Sequence, residues 1–346
     1  MLSQLATYSR TGPAALAIVD PMAPRPYSGR PGSLAGLGGT EATVASVARA
    51  LGVRVDVFQS ARREVERETR LRFAPLDLST PLPGDPPRIL VINSWKVALK
   101  LRALHPGAEV GLWLHVYPGR HNRRMGPALA RAGITIVCVS EAHARHMRDF
   151  APEARVTHVA NPIPDDLRPD GTARDRNLLL FASSPHKGLD QVFRAFEAAR
   201  SDVPELRLAV ADPGYLKWPI GTVPAGVDLL GRLEQAELHA LMRRALCLFY
   251  PQTFFAETFG LVIAEANAVG CPALVHRRLG ANDCVVSDPS QLVDGRDPDA
   301  IVDRLRRWRA RPPVVAARPE FRMSRVREAW LDLLDLADPL RLDAVS

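Results

Sequence analysis

Short apolar runs alternating with helical patterns constrain this chain more than any other feature. Runs rich in Val, Ile and Leu occupy residues 14–19, 53–58, 89–92, 110–115 and 134–139. Strands covered on both faces read in this way, and such strands separated by helices predict parallel β-α-β winding. A Gly-rich stretch at 29–39 precedes a helical pattern at 40–51. The strongly charged segment 62–72 is expected to be a solvated helix or loop.

A second cycle follows residue 161. The segment 161–176 is rich in Pro and Asp and reads as a linker. Beyond it come strands at 178–182, 206–211, 227–230, 247–250 and 272–275. Helices are expected at 189–199, 234–245 and 260–269, with two more at 300–309 and 324–336. At 346 residues the chain has room for about two domains. The expected division is 1–168 for the first domain, 169–324 for the second, and 325–346 for a C-terminal helix packing back towards the first. Open α/β sheets bind ligands at the carboxyl ends of their strands, so two such domains facing each other place a ligand between them.

Charge narrows the ligand without naming it. The formal net charge is +7, which suits an anionic partner such as a nucleotide, a phosphate or an acidic membrane. Cys138, Cys247, Cys271 and Cys284 form no C-x-x-C pair and read as reduced, buried thiols. No apolar run approaches the roughly 18 residues that span a bilayer. The first residues lack a basic region followed by a long apolar stretch, so a cytoplasmic location is expected.

The chemistry concentrates just after strands. In the run from Glu257 to Glu265 two glutamates flank Phe259-Gly260. On one continuous helix they would stand about 80° and roughly 12 Å apart. The spacing makes more sense if Glu257 lies in a loop and a helix begins near Gly260, exposing free backbone N–H groups and a positive dipole end. Upstream, Ser183-Ser184-Pro185-His186-Lys187-Gly188 follows a strand and precedes a helix, where a cation and hydroxyls can neutralise a leaving diphosphate. Gly38-Gly39-Thr40-Glu41 opens the first helix, either as an anion-binding turn or as a tight turn capped by Thr40. His115 ends a strand, where it can hydrogen-bond a ligand or steady developing charge, with His121 as a weaker substitute.

The run 254–280 resembles the signature of the family-4 retaining glycosyltransferases, E-x-F-G-L-x-x-x-E-A-x-A-x-G-x-P-V. It matches at Glu257, Phe259, Gly260, Leu261, Glu265, Ala266, Ala268, Gly270 and Pro272. The resemblance extends to Gly231-Arg232-Leu233, to a G-G-x-E turn at Gly38–Glu41, to the strand-end His115, and to a V-S-E turn at Ser140-Glu141, read as a helix cap bordering the cleft. It implies the GT-B fold, two facing Rossmann-like domains with a deep cleft between them. It also implies a hexosyltransferase-like enzyme that moves a sugar from a nucleoside-diphosphate sugar, UDP or GDP linked, to an acceptor hydroxyl with retention and without a metal. Glu257, His115 and Lys187 then become the catalytic set. Gly38, Gly39, Ser183, Ser184, Lys187, Glu257, Thr258, Phe259, Gly260, Leu261 and Glu265 become donor contacts, with Glu257 on the sugar and Glu265 on the ribose.

One departure stands out. The related pattern places an Arg a few residues before the Lys, where this chain has Ser183-Ser184. Arg120, Arg123 and Arg232 are the candidates to replace it. Two other functions stay open: a nucleotide-sugar epimerase on the same plan, and a catalytically degenerate nucleotide or sugar binder. His143 and His146 lie one turn apart, but on a charged, solvent-facing helix without an acidic third ligand, so no metal or other cofactor is expected. Arg304 to Trp308 is compatible with peripheral contact with an anionic membrane, but Ile301, Leu305 and Trp308 are more simply buried. No nucleic-acid motif accompanies the charge. Donor base, acceptor and oligomeric state are not legible.

Overall fold

The protein was analysed as a computed structural model that describes residues 14–338 apart from positions 31 and 35. The first half forms β1 (Leu16–Asp20), α1 (Gly39–Ala50), β2 (Val55–Gln59), β3 (Glu66–Arg67), β4 (Leu71–Pro75), β5 (Arg88–Ile92) and α2 (Trp95–Leu104). It continues with β6 (Glu109–Leu114), α3 (Met125–Ala132), β7 (Thr135–Cys138), α4 (Glu141–Phe150) and β8 (Val156–His158). These strands make one sheet in the order β3-β4-β2-β1-β5-β6-β7-β8. All its pairings are parallel except β3 with β4. Every residue of β1 and β2 is buried, as expected of strands covered on both faces.

The second half contains β9 (Asp175–Ala182), α5 (Leu189–Asp202), β10 (Arg207–Ala211), β11 (Val227–Gly231), α6 (Gln235–Arg244), β12 (Ala245–Tyr250) and α7 (Leu261–Ala268). Then come β13 (Ala273–His276), α8 (Asn282–Val285), β14 (Leu292–Val293), α9 (Pro298–Ala310) and α10 (Met323–Leu333). Its sheet runs β11-β10-β9-β12-β13-β14, parallel throughout. Strand order reverses beside β1 in the first sheet and beside β9 in the second. Those switch points open the crevices where ligands of such sheets bind.

The segment 62–72 is not a solvated helix. It folds into the edge hairpin β3–β4, with Leu71 and Phe73 buried against the core. Its charges are spent internally. The Arg62 guanidinium donates to Tyr27 O at 2.8 Å and Gln59 Oε1 at 2.9 Å, and Arg72 pairs with Asp56. Charged residues alternating with Leu71 and Phe73 hide β4 from a reading based on continuous apolar runs. The short edge strands β8 and β14 were likewise not anticipated.

The tail returns to the first domain. Trp330, fully buried on α10, sets its ring edge-on to Trp113 of β6 at 4.6 Å, and Arg327 donates to Ala50 O at the end of α1 at 2.8 Å. Before α10, Phe321 packs edge-on to Phe259 at 4.9 Å. These contacts belong to one continuous buried core that spans both sheets. On α9, Ile301, Leu305 and Trp308 are buried and the arginines between them face outwards. Among the described residues, no helix is long and apolar enough to cross a membrane.

Candidate active site

The carboxyl ends of the two sheets enclose a cleft of about 730 Å³. On the second-domain side, β9 ends at Ala182 and the chain turns through Pro185–Lys187 into Gly188. Gly188 adopts φ +91, and a Cβ there would come within 2.9 Å of the Gln252 side chain, so the turn requires glycine twice over. The turn directs Lys187 Nζ onto the carboxylate of Glu257, 3.0 and 3.2 Å from its two oxygens.

Glu257 lies in the loop between β12 and α7, only 8 % exposed. Gly260, at φ +92, supplies the left-handed residue before α7, which begins at Leu261. The early amides of α7 therefore lack intrahelical partners and face the cleft, a ready anion site. Besides Lys187, the Glu257 carboxylate accepts a hydrogen bond from the buried Tyr250 hydroxyl at 3.1 Å. Its backbone is gripped from behind. A Cβ on Gly280 would lie 2.3 Å from Glu257 O and 2.7 Å from its N. Glu265, farther along α7, lines the cleft and accepts from Gln235 Nε2 at 3.1 Å.

The first-domain wall is built differently. Asn93, at φ +55 after β5, accepts a hydrogen bond from His115 N through Oδ1 at 2.7 Å and so fixes the residue that ends β6. His115 lines the cleft. Among the described residues its Nε2 has no protein partner. Burial, with a smaller contribution from His143, pushes the imidazole down to about 3, so it is neutral at ordinary pH. It can hydrogen-bond a ligand but cannot steady negative charge as a cation. Gly38, not Thr40, occupies the N-cap position of α1, and no side chain caps it. Gly39 packs so tightly on α7 that a Cβ there would lie 2.8 Å from Leu261 Cδ1.

Thr258 ties the walls together, donating to His115 O at 2.8 Å while its own carbonyl accepts from Ser140 Oγ at 2.5 Å. The same Ser140 hydroxyl caps α4 by accepting from His143 N. His143 is not on a solvent-facing surface. It is fully buried, and burial lowers its pKa to about 4. Among the described residues, no group of three His, Cys, Asp or Glu side chains is arranged to hold a metal.

The cleft thus brings together Gly38, Gly39, His115, Ser183, Lys187, Glu257, Thr258, Phe259, Gly260, Leu261 and Glu265. Ser184 is the exception: it is fully buried and its hydroxyl lies 2.8 Å from His186 Nδ1. Phe259 presents its backbone, since its ring is in the core. Of the three candidate replacement arginines only Arg232 lines the cleft, joined by Arg30, which the sequence reading missed. Asn93 and Tyr250 were also missed. The one available signal was a phenol ending the otherwise apolar strand β12.

Residues 165–316, the second domain from the linker through α9, match the model of a family described as glycosyl transferases group 1. No curated protein matches the chain by sequence. Among solved structures, an α,α-trehalose-phosphate synthase (UDP-forming) from Burkholderia vietnamiensis superposes with a TM-score of 0.63 at 15% identity, covering 93% of this chain and 99% of that one. WaaG, a glycosyltransferase involved in lipopolysaccharide biosynthesis, gives 0.57 at 16% identity, covering 93% and 96%. The T4 phage β-glucosyltransferase gives 0.52 at 11%, covering 93% and 99%. The fold is GT-B. At these identities the likeness to the solved structures is one of architecture, and it extends over 93% of the chain.

Proposed function

We propose that this GT-B protein is a retaining glycosyltransferase that moves a sugar from a nucleoside-diphosphate sugar to an acceptor hydroxyl without a metal. The observation that carries the proposal is the meeting of Lys187, Glu257 and the free amide end of α7 at one point of the interdomain cleft. In this reading Lys187 and the α7 amides receive the diphosphate, where cation and helix dipole stabilise the charge that develops as the sugar leaves. Glu257 accepts hydrogen bonds from the sugar hydroxyls, and Glu265 from the ribose. Arg232 supplements Lys187 from the end of β11, since its partner Glu234 is an exposed residue whose pairing is weak and readily exchanged.

The acceptor enters along Gly38, Gly39 and His115. The neutral His115 imidazole orients a hydroxyl through Nε2, and no protein side chain is assigned as base. The ties of Thr258 to the first domain keep water from the reacting sugar. The enzyme works in the cytoplasm, with an anionic membrane as one potential source of its acceptor.

Thermal unfolding of the purified protein with UDP, GDP, ADP and TDP, and then with their sugar conjugates, tests the proposal. A ligand at about 100 times its Kd adds about 2.7 kcal/mol. One nucleotide is expected to raise the midpoint clearly and its sugar conjugate to raise it further, unchanged by EDTA. No shift with any of them in folded protein would overturn the donor site, and conversion of a donor without an acceptor would point to an epimerase.

A further inference from the structure

We propose that Tyr250 positions Glu257: its hydroxyl holds the carboxylate towards the donor sugar once Lys187 has turned to the diphosphate. The inference rests on the donor-site reading above. The Glu257 carboxylate has two side-chain partners, and they differ in one respect. Lys187 Nζ reaches both oxygens from the cleft wall and is free to follow an anion that enters. Tyr250 is 1 % exposed and stands behind the wall, its ring beside Phe181 at 5.7 Å, so no ligand can draw it away.

A buried carboxylate stripped of the cation that pairs with it would lose its orientation and pay a large desolvation penalty, unless another donor remained. The phenol is that donor. Burial, together with the Glu257 charge and hydrogen bond, raises its pKa well above the usual tyrosine value, so it keeps its proton. A neutral donor orients the carboxylate while leaving its negative charge to meet the sugar hydroxyls. Packing does not account for the hydroxyl. β12 reads Ala-Leu-Cys-Leu-Phe-Tyr, buried at every position, and a phenylalanine would fill the same volume.

The test uses the full-length protein, the nucleoside diphosphate that stabilises it most, and the sugar conjugate of that nucleotide. Tyr250→Phe is expected to leave the unliganded midpoint nearly unchanged, because Lys187 still holds the carboxylate, and to reduce the shift with the nucleoside diphosphate, because the entering anion then leaves Glu257 without that donor. The added shift from the sugar should shrink. Turnover, read as transfer or as slow donor hydrolysis, should fall roughly ten- to a hundredfold, the scale of a hydrogen bond to a charged group. In a Glu257→Gln background, Tyr250→Phe should cost nothing further.

Wild-type turnover in Tyr250→Phe, an undiminished shift with the nucleoside diphosphate, or additivity with Glu257→Gln would each overturn the positioning role. Failure of Tyr250→Phe to fold would show that the hydroxyl serves the fold and would overturn the role as well. Glu257→Gln at full activity would instead sink the donor-site reading itself, so the two failures are distinguishable.

Discussion

The two walls of the cleft are built on different principles. The second-domain wall is electrostatic: hydrogen bonds join Lys187 and Tyr250 to Glu257, and α7 offers open amides beside them. The first-domain wall offers little free charge: Gly38 and Gly39 leave backbone exposed, His115 is held uncharged, and Arg30 is paired with Glu66. A wall that must meet a diphosphate needs charge poised in place. A wall that admits a hydroxyl needs shape and hydrogen bonds, and a charge there would have to be desolvated for each new substrate.

The largest expected effect breaks the electrostatic wall. Glu257→Ala should lower transfer by about a hundredfold or more while nucleoside diphosphate binding largely survives, measured by turnover and by thermal shift. A variant that transfers normally would mean that the charged wall does not hold the sugar.

Glycine substitutions sharpen the contrast next. Gly280→Ala drives a Cβ into the Glu257 backbone at φ +55, where nothing flexible can yield, so it should destabilise by about 1–3 kcal/mol and cripple transfer. Gly39→Ala meets only the end of the Leu261 side chain, which can rotate, so its loss should be smaller and confined to activity. Equal losses in unfolding and kinetic assays would erase the distinction.

The neutral wall predicts a pH signature. His115 titrates near 3 and His143 near 4 in the folded protein, below the usual histidine value of 6.5. Between those values and 6.5 the unfolded chain binds more protons, so stability rises with pH through that window and is lost as pH falls below about 6.5. His115→Gln should flatten part of that loss in melting curves recorded from pH 7 to pH 4. A midpoint as steep in the variant as in the wild type would show that His115 is not held neutral.

The smallest effect concerns the seam. Thr258→Val removes the bond to His115 O and should cost about 0.5–1.5 kcal/mol, with KM raised more than kcat is lowered.

Much of this architecture was legible in residue order. Buried parallel strands such as β1 announce themselves as unbroken apolar runs, and the left-handed turn at Gly260 with its helix behind it follows from the placement of Gly between loop and helical residues. Strand β4 escaped because Leu71 and Phe73 alternate with Arg70 and Arg72, and Arg72 finds its partner Asp56 only through the pairing of β4 with β2. His143 was misread for a related reason: the charged neighbours on α4 gave no hint of the face on which the imidazole lies.

By itself, the sequence determined the two-domain α/β plan and which turns carry glycine, glutamate and lysine, because backbone conformation and burial periodicity are local properties of the chain. Only the tertiary structure decided that Lys187 pairs with Glu257 seventy residues away, that Tyr250 stands behind that pair, and that His115 is neutral. Partnership and protonation depend on which groups long-range folding brings within 3–4 Å and on how much water it removes, and neither is written in the local order of residues.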